Sequence, residues 1–282
     1  MTRRILDSHV HVWEQALTPQ PWLQEPAHAL IDRDFTVAEA TTALASTGAD
    51  SFVLVQTEHS LRETLALIDD ARAVEVHGVV GWVDLVGDTV GGLDLIAEQP
   101  NGDALVGIRH LAHTETDERW LLQPDAVRGI QAVAHRGLVF DLVLRPWQLP
   151  TAVAVARAHP ELRIVLDHLG NPPREPDAFE LWRHHLAVLA RCENVTAKVS
   201  GLPAAPPRHA STAPSHASIL NVALDAFGPD RLMFGSDWPL VTLTGGYAKW
   251  LDAYMQWSGT LSDADQSAID HQTAMRTYRR AR

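Results

Sequence analysis

Eight short apolar runs, at 5–10, 51–55, 78–83, 105–110, 138–144, 163–167, 195–199 and 231–234, recur along the chain with helix-like segments between them. No other property restricts the fold as much. Strands that alternate with helices pair in parallel, because a helical crossover returns the chain to the same end of the sheet. Eight such units in 282 residues come close to the ~250 residues of a closed (β/α)8 barrel. The expected fold is therefore α/β, a TIM barrel in one domain over residues 1–282. An open doubly wound sheet is the alternative. It should carry a glycine-rich nucleotide turn after the first strand, where this chain has His9-Val10-His11.

The intervening segments carry helix signals. Leu61, Leu65, Ile68 and Ala71 share one face behind Ser60, which has Glu63 at capping-box spacing. Val127, Ile130, Val133 and Ala134 do the same and stop at Gly137, suited to the left-handed turn that ends a helix. Further helices are expected at 179–190, 219–227 and 262–278. The stretch 203–214, rich in Pro, Ala, Ser and His, has no periodicity. In a barrel it is a long loop at the catalytic face and a candidate lid, with His209 and His216 read as solvated loop residues.

Bulk properties narrow the function. A chain that is 46% apolar and 21% charged buries a core without help from disulfides or metal. A single cysteine, Cys192, allows no intramolecular disulfide and suits a reducing cytosol. The net charge is −12, and the basic residues cluster only at Arg279, Arg280 and Arg282, which argues against a nucleic-acid surface. No signal-peptide pattern precedes Ile5, and no apolar run is long enough to cross a bilayer. The expectation is a cytoplasmic protein acting on a small molecule, its oligomeric state not legible.

Chemistry-bearing residues gather at three strand ends. His9 and His11 close the first strand, and side chains two apart on a strand share a face. Two imidazoles so placed can bind one divalent metal or donate together to a substrate oxygen. With 15 histidines in the chain, His-x-His alone could be chance. Asp167-His168-Leu169-Gly170 ends the sixth strand, and Gly235-Ser236-Asp237-Trp238-Pro239 follows the eighth. Together they bring His, His, His and Asp to the rim where barrel enzymes keep their sites. Singly, His168 reads equally as a loop cap and Asp237 as a turn former.

In this arrangement the chain resembles the amidohydrolase superfamily, and within it the branch of sugar-lactone and 2-pyrone-4,6-dicarboxylate lactonases. The matching pieces are Asp7-Ser8-His9-Val10-His11-Val12-Trp13, Val55-Gln56 with Glu63-Thr64, Gly107-Ile108-Arg109, Asp167-His168-Leu169-Gly170-Asn171-Pro172, Lys198-Val199-Ser200-Gly201-Leu202 and 228–239. They run nearly the whole chain in order. The resemblance implies a hydrolase that opens a lactone. Asp237 would be the general base, and His9, His11 and His168, or a metal, would polarise the carbonyl.

Four further residues are candidates for holding substrate. Arg109 could bind a carboxylate or ring oxygens with its planar fork, or form a structural salt bridge. Lys198 could reach substrate, or pair inside with a carboxylate. Trp13 and Trp238, among nine tryptophans, fall where an indole could stack on a sugar-like ring, with core packing as the alternative. The fourth and fifth strand ends offer Arg109-His110 and Asp141 in place of the bridging Lys or Glu of binuclear relatives. His110 alternates with Arg109, so the two should not both point inward. The metal reading is thus one ion, zinc first, on His9, His11 and Asp237, with a metal-independent mechanism its equal. The competing functions are a metal-dependent amidase or decarboxylase of a related branch and a non-catalytic binding protein on an inactivated barrel.

Overall fold

The apolar runs are eight parallel strands, paired in sequence order. They are β1 (Ile5–Val10), β2 (Ala49–Val55), β3 (Val76–Gly81), β4 (Leu105–His110), β5 (Val139–Leu142), β6 (Ile164–Leu166), β7 (Val195–Val199) and β8 (Leu232–Phe234). The helices between them are α1 (Val37–Ala45), α2 (Leu61–Asp70), α3 (Thr89–Ala97), α4 (Pro124–His135), α5 (Leu149–Ala158), α6 (Pro176–Leu189) and α7 (His216–Phe227), with α8 (Tyr247–Ser258) after β8. This computed structural model describes residues 3–45, 48–202 and 214–280. Residues 203–213 of the segment read as a lid, His209 among them, lie outside the described residues. His216 opens α7 and donates through Nε2 to the Leu202 carbonyl at 3.2 Å.

Closure comes from the stretch after β8. The His11 N–H donates to the Trp238 carbonyl at 2.7 Å, and the Asp237 N–H to the His9 carbonyl at 2.9 Å. The same two bonds that shut the barrel therefore set Asp237 against β1. Strand β3 begins and ends two residues earlier than its apolar run suggested. The Trp82 N–H leaves the ladder for the Thr64 hydroxyl at 2.8 Å, so the strand stops at Gly81 although the apolar residues continue.

The barrel interior is layered. Leu6, Val53, Val55, Val80, Val106, Val139, Val165 and Met233 pack together with Ala274 and Tyr278 from the C-terminal segment. Burying each aliphatic side chain stabilises the fold by roughly 1.5–3 kcal/mol. Two residues beyond Val139 and Val165 the inward positions are Asp141 and Asp167, so the layer toward the strand ends is charged. The C-terminal segment, expected as one helix, is α-helical over Asp263–Ser267, π-helical over Ala268–Gln272 and α-helical again over Thr273–Thr277. Its wide turn carries Asp270, buried against Arg3 and accepting from the Tyr254 hydroxyl at 2.6 Å.

The cap signals are realised in part. The Ser60 side chain accepts from the Glu63 N–H at 3.2 Å. The Glu63 carboxylate does not return the bond; it accepts from the Thr57 and Glu58 N–H groups at 3.0 and 2.9 Å. Half of the capping box instead fastens the β2–α2 loop. Gly137 takes φ +67° just beyond α4, the conformation its place after the helix predicts.

Candidate active site

A bulge places the first two histidines. Asp7 pairs with Phe52 and Val10 with Leu54, so β1 carries one extra residue between those points. One extra residue reverses which face a side chain takes. Leu6 therefore joins the apolar interior while His9, three residues on, reaches the same interior. His11 follows two residues later. Its Nδ1 lies 2.6 Å from the Val55 carbonyl, an acceptor, so Nδ1 carries the proton and Nε2 presents a lone pair. The His9 and His11 Nε2 atoms are 3.1 Å apart. Asp237 Oδ1 stands 3.4 Å from His11 Nε2 and 3.7 Å from His9 Nε2.

His168 and Asp237 both sit in left-handed backbone. His168, Leu169, Gly170 and Asn171 follow one another at φ +52°, +53°, +71° and +56°, and Asp237 has φ +63°. A non-glycine residue there costs about 1–2 kcal/mol, so neighbouring bonds must hold the turn. Asn171 Nδ2 donates to the Leu144 carbonyl at 2.7 Å, and the Trp182 indole donates to the Leu169 carbonyl at 2.8 Å. His168 Nδ1 meets the Ser200 hydroxyl at 2.9 Å. Gly201, at φ +62°, passes so close that a Cβ there would lie 2.5 Å from His168 Nδ1.

Beneath His9 lies a fully buried ionic layer. Lys198 Nζ reaches Asp141 Oδ2 at 2.6 Å, Asp167 Oδ1 at 3.0 Å and His9 Nδ1 at 3.1 Å. Arg109 donates through NH1 to Asp167 Oδ2 at 2.9 Å and lies 3.2 Å from His9 Nε2, and its NH2 donates to the Gln56 carbonyl. These contacts realise, for both residues, the internal pairing that was one of the two readings above. Lys198 is buried below the histidines and paired with carboxylates. The Arg109 fork is likewise engaged inside, with only Nε lacking a partner. Trp13 packs edge-on against Trp22 and Phe35 and donates to the Arg33 carbonyl at 2.7 Å, and Trp238 packs edge-on against Phe35. Both are buried wall residues, which favours core packing over ring stacking.

Electrostatics follow from burial and these partners. Burial, then the Lys198 charge, holds the His9 imidazole well below its ordinary value. Burial also lowers His11. Both rings are neutral at pH 7. Burial pushes Asp237 upward, but its neighbours, His168 first, outweigh it and hold the carboxyl below the usual range. Asp167 is likewise pulled well down, burial being overcome by Lys198 and His9. Asp237 is thus ionised at neutral pH, and its Oδ1 is buried without a hydrogen-bond partner.

The donor set fits one metal ion. In a tetrahedral site with bonds of about 2.0–2.1 Å, ligand atoms sit roughly 3.3 Å apart, against 3.1, 3.4 and 3.7 Å here. His9, His168 and Asp237 also bring ligand atoms within 4.8 Å of one another. A second cluster, His59, His110 and Glu115, meets the same separation but not the chemistry. The Leu111 N–H donates to His59 Nε2 at 2.8 Å, which leaves the proton on Nδ1. The His59 and His110 rings are stacked at 4.1 Å and 22°, so their in-plane lone pairs do not converge. His110 turns away from the barrel, as its alternation with Arg109 requires.

Sequence reasoning left four contributors without a role at the site. Asp141 carried a legible signal, a carboxylate in an apolar strand with an inward Lys on another. Ser200 and Gly201 lie in a quoted piece, but nothing in it shows that they back onto His168. Tyr278 arrives from the far end of the chain and donates to Asp141 Oδ2 at 2.6 Å; no local pattern announces it.

Comparison with known proteins gives the chain its family. The amidohydrolase family profile matches residues 6–280. The L-fucono-1,5-lactonase of Burkholderia ambifaria is 35% identical over 262 residues, covering 89% of this chain and 86% of its own. The enzyme of the same name from Burkholderia multivorans is 32% identical, covering 97% and 95%. A crystal structure of a Burkholderia multivorans amidohydrolase with bound zinc superposes with a TM-score of 0.90 at 32% identity, over 98% of this chain and 99% of that one. The chain belongs to the amidohydrolase family.

Proposed function

We propose that the chain hydrolyses a neutral sugar 1,5-lactone, with Asp237 as general base. The observation that carries this reading is the Asp237 carboxylate, ionised, with Oδ1 buried and unpartnered beside the Nε2 atoms of His9 and His11. Such an oxygen lacks only a proton to accept. Water attacks the lactone carbonyl carbon as Asp237 takes its proton, giving a tetrahedral oxyanion. Collapse breaks the bond from carbonyl carbon to ring oxygen, and Asp237 returns the proton to that oxygen. The product is a hydroxy acid. In this reading His9 and His168 would donate to the oxyanion. A divalent ion on His9, His11, His168 or Asp237 would supply Lewis-acid polarisation of the carbonyl; the Burkholderia multivorans relative binds zinc.

The names of the relatives point to L-fucono-1,5-lactone. The interior pairing of Arg109 points the same way: with its fork on Asp167 and Gln56, it does not serve as a clamp for a carboxylated lactone. The test is a panel of aldono-1,5-lactones and 2-pyrone-4,6-dicarboxylate, with acid release followed by an indicator dye against the buffer rate. The sugar lactone is expected to open and the dicarboxylate to persist. Opening of the dicarboxylate alone would overturn the proposal.

A further inference from the structure

His9 stands between two cations. Lys198 Nζ is 3.1 Å from Nδ1 and Arg109 NH1 is 3.2 Å from Nε2, while a neutral imidazole has only one lone pair. With the proton on Nε2, Arg109 faces an N–H; with the proton on Nδ1, Lys198 does. Either tautomer leaves one positive donor unrewarded, and a metal at Nε2 would be a third cation on the same ring. In many metal sites a carboxylate accepts from the ligand's far nitrogen and strengthens it. Asp167 Oδ1 is placed for that role at 3.4 Å from Nδ1, but Lys198 stands closer.

Lys198 is held there from the barrel floor. Asp141 Oδ2 takes both the Lys198 ammonium at 2.6 Å and the Tyr278 hydroxyl at 2.6 Å. The column Tyr278–Asp141–Lys198 therefore runs up the barrel axis and ends on His9. We infer that Lys198 is a positioning residue that weakens His9 as a metal ligand, so that the mouth holds zinc loosely and Tyr278 sets how firmly this opposition acts. The inference rests on the single-ion reading of the mouth and not on the identity of the lactone.

The test is zinc affinity, measured without substrate by competition with a chromophoric chelator. In Lys198→Met the Asp167 carboxylate becomes the neighbour of Nδ1 and the far-side cation is gone. Burial already raises the Asp141 carboxyl to about 6, so it can take up a proton and spare the variant an unpaired buried charge. Affinity is expected to rise about tenfold or more, the scale on which partners of ligating histidines act. Tyr278→Phe removes one donor from Asp141, draws Lys198 toward that carboxylate, and should raise affinity by a smaller factor. A merely structural role predicts the opposite sign, because a loosened barrel binds metal less well. Wild type too weak to measure, with one ion bound by Lys198→Met, supports the inference. Unchanged or weaker binding in a folded Lys198→Met, or in Tyr278→Phe should the first variant not fold, overturns it.

Discussion

Among the described residues, two histidine clusters of similar composition lie in this barrel, and their rings are set in opposite ways. His9 and His11 meet edge-on, with centroids 4.8 Å apart and planes at 81°, so their Nε2 atoms converge beside Asp237. His59 and His110 lie face to face, and His110 continues the stack onto Trp120 at 3.9 Å and 6°. Parallel rings exclude water and carry loops; crossed rings aim lone pairs at one point. What separates the two is ring direction, which the β1 bulge sets for one cluster and the outward position of His110 sets for the other.

The most severe way to break the first cluster is Asp237→Asn. The substitution keeps the size of the side chain, and asparagine tolerates the left-handed φ at this position. The amide cannot accept the proton, so kcat for lactone opening should fall at least about 10²-fold. Zinc content must be measured on the same preparation. Near-full activity would remove Asp237 from the base role.

The comparison sharpens when metal is counted. In excess zinc the protein should load no more than one ion per chain at the mouth, and His11→Gln should weaken that binding at least about tenfold, while His110→Gln leaves the stoichiometry unchanged. Mass spectrometry of native protein distinguishes these outcomes. Two ions per chain, one of them lost with His110, would make the stacked cluster a site after all.

A smaller effect comes from the backbone behind His168. Gly201→Ala puts a Cβ 2.5 Å from His168 Nδ1 at a φ of +62°, so the ring must move and the turn is strained. A displacement near 1 Å can cost up to about 10²-fold in rate. A fall in kcat/KM of more than about tenfold is expected, with about 1–2 kcal/mol of stability lost in urea unfolding. Unaltered kinetics would show that His168 need not hold its place.

The barrel was legible because each strand is a bounded apolar run and several have a helix signal behind them, and His9, His11, His168 and Asp237 stood out because each lies at or just beyond the end of such a run. What stayed hidden is of another kind. The β1 bulge depends on its pairing with β2, not on any residue of β1. Arg109 and Lys198 stayed open between substrate and an internal partner because an inward charge at a barrel mouth can face either. That their partners were Asp167, Asp141 and Gln56 depends on depth along the strands, which periodicity does not encode. Trp13 and Trp238 stayed open between stacking and packing for a related reason: nearness to a strand end does not say which face of an indole the loops will cover.

The stacked cluster has its own signature, the mildest effect of the series. Burial lowers both His59 and His110 to about 4, so the folded protein keeps them neutral where the unfolded chain, near 6.5, takes up protons. Between pH 6.5 and 4 the unfolded state therefore binds more protons, and stability falls as pH falls through that window and levels below it. Each such proton contributes at most about 1.4 kcal/mol per pH unit, less for His59, which is more open to solvent. Other buried groups titrate in the same range, so the informative quantity is the difference in slope between wild type and His110→Gln. The variant lacks one of these histidines and should lose stability less steeply from pH 6.5 to 4.5, whatever its absolute stability at pH 7.5. Urea midpoints across that range measure it. Parallel slopes would mean that His110 is protonated in the folded stack, with Glu115 at 2.8 Å as its counter-ion, and the contrast between a neutral stack and an ionised mouth would have to be redrawn.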